Sequence, residues 1–401
     1  MSLLAYKKQF VNAYQEIFQK VLVAKEITNF RFEPVLKYGA SVERVAYSID
    51  GVIVRDTVRG AASTIDTITD SSELLTINIE KEAVFHISDG EAVQTGPLNP
   101  GEVIGGKVAM KVAIAFDALC LAEVLNAAYT FDTGDLTTLS SNGTPITETT
   151  TTVPQMVTMM PGKLRRNNQT LTNLAFVTDS FGASLMAQYL LGKNIDLAGS
   201  VFKNGYTGDV SNAQVYVSEN LTGTALFSMA TQPTDGDTVT INGVVFTFKT
   251  TLGSTAGNVL IGGSADAARA NLTALINAPG TTTAQGVALS AANQALLKPG
   301  GIAMAATNDN TANTMSLVAV GSGALTVSET LTDGTDTWSL NCIHGYFGKK
   351  GAIDTVMQDL QEVVMRETSD RLGVNVFTKM LAGIKTYTDG TKQFLNVKLA
   401  R

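Results

Sequence analysis

Apolar Leu75, Ile77 and Ile79 alternate one for one with polar Thr76, Asn78 and Glu80. Strict alternation puts one apolar and one polar face on an extended chain, so the segment reads as strand. Upstream, Val42, Ile49, Val52 and Val54 surround an Asp50-Gly51 pair, a signal for a tight hairpin turn. A polar stretch, 60–72, lies between the two runs, and no second apolar run nearby covers the apolar face. This favours an extended hairpin over residues 40–88 that docks on another subunit.

Composition points the same way. Only 16% of the 401 residues are charged, against a usual quarter or so, while 44% are hydrophobic. Such a chain suits a protein that buries much of its surface against neighbours. The net charge of −7 argues against a dedicated nucleic-acid binder, which carries a basic patch. It leaves room for a shell that merely encloses nucleic acid. Two isolated cysteines, Cys120 and Cys342, imply no disulfide framework. The N-terminus lacks the apolar core of a signal peptide. The most apolar window, 108–128, contains Lys111, Asp117 and Glu123, so it reads as a buried helix and not a membrane span.

Along the chain, Phe10, Tyr14, Ile17, Phe18, Val21 and Leu22 recur at helical spacing and predict a helical arm over 3–27. After the break at Asn99-Pro100-Gly101 comes a long helix over about 107–128, roughly 30 Å if continuous. Residues 130–170, with threonines at 149–152, read as a loop or linker. A mixed region follows: strand at 174–177, helix at 180–191, strand at 215–217. Residues 222–341 have a different texture, with three basic and seven acidic residues. Asp237 to Phe248 alternates around an Asn242-Gly243 turn. Ala265, Ala268, Leu272, Leu275 and Ile276 form a helical stripe, and 315–320 and 325–328 read as strands. This is a compact α+β module with Gly-, Thr- and Asp-rich ends, as expected of an inserted domain. The host pattern resumes at His344.

Residues that could carry chemistry are few. Gly101 to Lys107 fits most of a phosphate-binding loop, but Val108 stands where Ser or Thr would hold magnesium. It reads as the Gly-rich start of the long helix. His86 and His344 lack the clusters that metal or acid–base sites draw on, and read as structural. Asp132-x-Gly134-Asp135 and Asn308-Asp309-Asn310 lack EF-hand spacing and read as polar turns. Lys163-Leu164-Arg165-Arg166 is the densest basic run. With Lys7, Lys8, Lys20, Lys25 and Arg31 it could touch packaged nucleic acid through phosphates, though a solvated loop is the plainer reading. No catalytic, cofactor-binding or metal-binding residue is expected.

The second half resembles the major capsid proteins of tailed phages, which share the Hong Kong 97 fold. The resemblance rests on 174–185 (Leu-Ala-Phe-Val-Thr-Asp-Ser-Phe-Gly-Ala-Ser-Leu), 204–210 (Asn-Gly-Tyr-Thr-Gly-Asp-Val) and 215–221. It continues in 344–358, beginning His-Gly-Tyr-Phe-Gly-Lys-Lys-Gly, in 383–390 and in 394–399. The family's order of arm, extended loop, long spine helix and axial domain matches the order read above. The segment 235–248 and the helix after it are similar to a small module recurring in phage structural proteins.

The resemblance implies an α+β fold of Hong Kong 97 type with an inserted small α+β domain. The expected divisions are an arm over 1–39, an extended loop over 40–88 and a peripheral domain over 89–170 and 361–401. An axial domain over 171–221 and 342–360, and an insertion over 222–341, complete them. It implies a non-enzymatic coat protein of an icosahedral head, built from pentamers and hexamers and assembled in the host cytoplasm. Its partners would be its own copies, a portal, a scaffold or decoration protein, and enclosed double-stranded DNA, with no membrane and no cofactor. No lysine–asparagine crosslink of the kind some members form is expected. The rivals are a tail or neck protein, an encapsulin-like compartment, and a nucleotide-binding enzyme resting on Gly101.

Overall fold

The computed structural model describes residues 23–34, 36, 39–48, 52–56, 59, 62, 65–88, 100–191, 206–210, 213–358, 363–367 and 373–401. Most of the helix expected over 3–27 lies outside them. What is described begins with one turn, α1 (Ala24–Ile27), whose Ala24 and Ile27 are fully buried.

β1 (Ser41–Ser48) and β2 (Thr69–Thr76) pair antiparallel, with Ser41 opposite Thr76 and Ser48 opposite Thr69. The register joins them through residues 49–68, which is longer than a tight turn. Asp50-Gly51 lies outside the described residues, and Val52 and Val54 fall outside both strands. β3 (Ile79–Ser88) continues from the ribbon into a different sheet.

α2 (Pro100–Ala122) starts earlier than expected and runs 23 residues, roughly 35 Å at about 1.5 Å per residue. Ala109, Val112, Ala113, Phe116 and Cys120 recur every three or four positions and form its buried stripe. A 3-10 turn (Glu123–Asn126) ends it.

Residues 130–170 are not a linker. They contain the end of β4 (Tyr129–Phe131), a single turn α3 (Asp135–Thr138) and a 15-residue helix, α4 (Thr152–Arg166). Val153, Met156, Val157, Met160 and Leu164 lie buried in the main core. Two local features hid the helix. The threonine run is its start: Thr149 Oγ1 accepts from the N–H of Thr152, and Thr149 O accepts from that of Val153. Pro154 falls in the first turn, where no donor is needed, and Pro161 interrupts the pattern inside the helix.

β5 (Leu174–Thr178) is wholly buried, α5 (Ser180–Leu191) follows, and β6 (Tyr206–Val210) and β7 (Ala213–Val217) come next. β8 (Thr222–Ser228) leads into β9 (Thr238–Ile241) and β10 (Val244–Lys249). Asn242 and Gly243 join these two with φ of 48° and 80°, as a two-residue hairpin turn requires. β11 (Asn258–Leu260) precedes α6 (Ala265–Asn277), whose start is capped by Ser264. Then come α7 (Ala291–Leu296), β12 (Ala305–Asp309), β13 (Thr314–Ala319) and β14 (Val327–Glu329). β15 (Thr337–Lys349), β16 (Asp354–Gln358), β17 (Val363–Glu367), β18 (Gly373–Lys385), the turn α8 (Thr388–Thr391) and β19 (Phe394–Ala400) complete the chain.

This mixed α+β arrangement has one nine-stranded sheet, ordered β12-β13-β8-β15-β5-β7-β6, with β19 on the other side of β15 and β4 beside β19. β16, β18, β17 and β3 form a second sheet under α2. β11-β10-β9-β14 form a third. Two large cores result. One joins Leu121, Phe131 and α4 to Phe176, Tyr346, Phe347 and Phe394. The other gathers Phe227, Phe246, Phe248, Leu272 and Leu317 from within 225–325. β15 bridges the two, with Ile343, Tyr346 and Phe347 in the first and Trp338 against the second. The register of β15 on β8 shifts between Ser339 and Cys342, where Leu340 takes a φ of 49°.

Candidate interaction surface

The β1–β2 ribbon is apolar on its surface and fixed at its base. Leu75 is fully buried with Leu36, Val356 and Tyr387. Arg44 makes two hydrogen bonds to Asp389, at 3.0 and 2.6 Å, while its guanidinium lies 4.9 Å from the Tyr387 ring centre. Across the ribbon, Glu73 accepts the backbone N–H of Thr388 at 3.0 Å. One turn, α8, therefore holds both strands. Such a paired base limits the angle at which the ribbon leaves the body.

Beyond the base none of the described residues covers the ribbon. Thirteen large hydrophobic side chains are exposed among the described residues, and seven of them lie between Val45 and Leu74. Val54 is 98% exposed and Ile65 92%. The two sides are tied by Arg55, which pairs with Asp66 at 2.6 Å. That guanidinium holds the Asp66 carboxyl below the usual range, and the N–H of Ile53 adds to the effect. Burying each large aliphatic residue is worth about 1.5–3 kcal/mol, so a ribbon that keeps this many in water is built for contact.

Other residues singled out above occupy different roles. Residues 101–106 lie inside α2, so the Gly-rich run is helix and not a loop. The basic run is the last turn of α4 and not a loop. Lys163 is buried against Asp135 and also donates to Ser141 Oγ at 3.0 Å. Arg166 donates to the carbonyls of Thr138 and Leu139. Arg165 and Arg166 are both exposed. Lys7, Lys8 and Lys20 lie outside the described residues. Asp132 is buried and accepts the N–H groups of Gly134, Asn142 and Gly143, so its carboxylate closes a turn. Asp309 does the same for Thr311 and Ala312. Among the described residues, no group of three or more His, Cys, Asp or Glu could hold a metal ion. No helix among them is long and apolar enough to cross a membrane.

His86 faces Asn375 at 2.8 Å. His344 belongs to a buried cluster that its sequence neighbours do not reveal. Its Nδ1 lies 2.7 Å from Asn396 Oδ1, and its Nε2 lies 2.8 Å from Thr224 Oγ1 and 3.7 Å from Cys342 Sγ. Burial pulls the imidazole down to about 4 and pushes the Cys342 thiol up. Both are neutral at pH 7, and Cys342 is 2% exposed, so the cluster is poorly suited to nucleophilic chemistry. The i, i+2 spacing of Cys342 and His344 on one strand face was the one available signal. Asn396 comes from β19 and Thr224 from β8, which only the sheet brings near.

No family model matches this sequence, and no curated protein matches it. Among solved structures the chain is similar to one from Mycobacterium phage Che8, with a TM-score of 0.47 and 12% identity over 94% of this chain and 90% of that one. A capsid structure of the cyanophage P-SCSP1u aligns with a TM-score of 0.42 and 11% identity, over 91% of this chain and 85% of that one. The mature capsid of bacteriophage PhiM1 gives 0.42 and 11%, over 90% and 82%.

Proposed function

We propose that this chain is the major coat protein of an icosahedral phage head and that it acts by self-assembly. The observation that carries the reading is the β1–β2 ribbon, anchored at α8 and carrying exposed Ile53, Val54, Ile65 and Ile68 on its far part. A fixed, uncovered aliphatic ribbon needs a partner surface, and a second copy of the same chain supplies one at every position of a closed shell. The order of ribbon, long helix, mixed sheet and second core follows the plan inferred from the sequence resemblance. In that plan residues 222–341 are an insertion, α2 is the spine helix, and the ribbon is the extended loop. The finer roles belong to the same proposal: pentamers and hexamers, a portal vertex, a scaffold or decoration protein, double-stranded DNA within, and assembly in the host cytoplasm.

Electron microscopy of the purified chain tests it. Closed shells, or sheets of pentamers and hexamers, are expected. The double variant V54S/I65S should keep the far-UV spectrum and thermal midpoint of the unassembled chain, since exposed substitutions cost within about 0.5 kcal/mol. It should fail to assemble. Shells forming equally well with the variant would remove the ribbon from the mechanism. Isolated rings or tubes from the parent chain would favour a tail or neck role.

A further inference from the structure

A polar cleft of about 500 Å3 opens beside the base of the ribbon. Four cationic side chains line it, Arg31, Arg44, Lys349 and Lys350, against three carboxylates, Glu26, Asp354 and Asp389. The cleft is thus locally cationic in a chain whose net charge is −7.

Two of the cations are held in matching ways. Arg31 pairs with Asp354 at 2.6 Å and lies 4.7 Å from the ring centre of Phe32. Arg44 pairs with Asp389 and lies over Tyr387, and the Phe32 and Tyr387 rings meet edge to face at 6.3 Å. Each guanidinium is oriented by a carboxylate on one side and a ring on the other, which lowers the ordering cost of binding. Lys350 is committed to Gln214 and Tyr216. Lys349 has no hydrogen-bond or ion-pair partner for its ammonium among the described residues, and Arg31 spends only one of its side-chain donors. The cleft therefore holds unspent charged donors.

It also holds a missing donor. Asp354 is 2% exposed, and while its Oδ2 takes Arg31, its Oδ1 has no partner. A buried carboxylate oxygen without a donor costs about 1–3 kcal/mol or more. An anion that only accepts hydrogen bonds satisfies Lys349 and Arg31 but leaves Asp354 wanting. A hydrogen phosphate group offers both kinds of atom, since its anionic oxygens accept and its O–H donates.

We propose that this cleft is a phosphate site, in which Arg31 and Lys349 hold the anionic oxygens and Asp354 shares the phosphate proton. The bound group would join the 28–34 segment, β1 and the end of β15, and so brace the ribbon's base. The proposal is independent of assembly and can be tested on the dispersed chain.

The test is thermal unfolding followed by Trp338 fluorescence at pH 7, in inorganic phosphate, sulfate or chloride at equal ionic strength. A saturable rise in midpoint with phosphate is expected, with a weaker response to sulfate, which has no proton to give. K349Q should need about tenfold more phosphate for half the effect, the loss of one charge-assisted hydrogen bond. R31Q also releases Asp354 and can lower stability by itself, so K349Q decides. Equal responses to phosphate and sulfate, or a K349Q curve matching the parent, would overturn the proposal. Phenyl phosphate, compared with inorganic phosphate at about pH 5.5 where most of it keeps its proton, separates the two sources. If it competes, the site accepts a phosphomonoester on a larger molecule; if only the free ion binds, the ligand is inorganic phosphate.

Discussion

Asp117 Oδ1 accepts the backbone N–H of Ala24 at 2.6 Å, tying the middle of the long helix to a residue 93 positions earlier. Its Oδ2 receives the Ser218 hydroxyl at 3.2 Å and the Asn220 amide at 3.3 Å. One buried carboxylate therefore joins α1, α2 and the turn after β7. Asp117→Ala should lower stability by about 1–3 kcal/mol, less than three lost bonds would suggest because a desolvated charge disappears too. Hydrogen exchange should rise at residues 24–28 well before it rises in β19. Equal protection there in parent and variant would remove Asp117 from this role.

His344 makes stability pH-dependent. Its folded value, about 4, lies below the ordinary 6.5 because burial disfavours the imidazolium. The unfolded chain protonates first as pH falls below 6.5, so this contribution is lost between about 6.5 and 4. The loss amounts to roughly 3 kcal/mol at about 1.36 kcal/mol per unit. Lys398 adds to the depression, and the neighbouring Asn396 favours the charged form. Burial raises the carboxyls of Asp117, Glu148 and Asp354, and these act with the opposite sign by favouring the fold as pH drops. The difference between parent and H344Q in urea midpoint, measured from pH 7 to 4, isolates the histidine. A pH-independent difference would contradict the assignment.

Gly348 sits in β15 between β19 and β5, where a Cβ would fall 2.2 Å from Phe394 Cβ and 2.4 Å from its Cα. Backbone cannot yield as a flexible side chain does. Gly348→Ala should cost about 3 kcal/mol or more by forcing the strands apart. Gly143→Ala, with nothing near its Cβ, is the comparison in chemical denaturation, although its φ of 85° carries strain of its own. A smaller loss at Gly348 than at Gly143 would show that the strand pair can spread.

Because β15 runs through both large cores, the cores should melt together. Trp338, the single tryptophan, packs on Phe227 at 4.8 Å and reports the second core. Leu272→Ala in that core should cost about 2–5 kcal/mol. Met156→Ala in the first core should shift the Trp338 transition as well. If only Leu272→Ala moves it, the cores unfold separately.

The sequence was most legible where one element buries one face. The alternation around Asn242-Gly243, the stripe of α6 and the run 174–177 each became the element expected, because period and burial coincide locally. α4 was missed because its stripe is carried by methionines and valines between prolines and threonines, and its buried face packs on α5 and β19, outside the segment. The Gly101 segment fits most of a loop motif but reads as the start of the long helix, and α2 does begin there, at Pro100. The basic run was legible as charge but not as contact: Asp135, which buries Lys163, lies 28 residues earlier.

What the sequence by itself determined is the set of local periods: which segments are strand or helix, and that residues 40–88 carry an apolar face with no cover of their own. These depend on neighbours within a few residues, where side-chain direction follows from backbone repeat. Tertiary structure alone decided the rest. It set Cys342, His344, Thr224 and Asn396 on one sheet face, closed Arg44 and Glu73 onto α8, and brought Arg31, Lys349 and Asp354 around one cleft. These groups are separated by up to hundreds of residues, and their meeting is set by strand register and core packing, which no local repeat encodes.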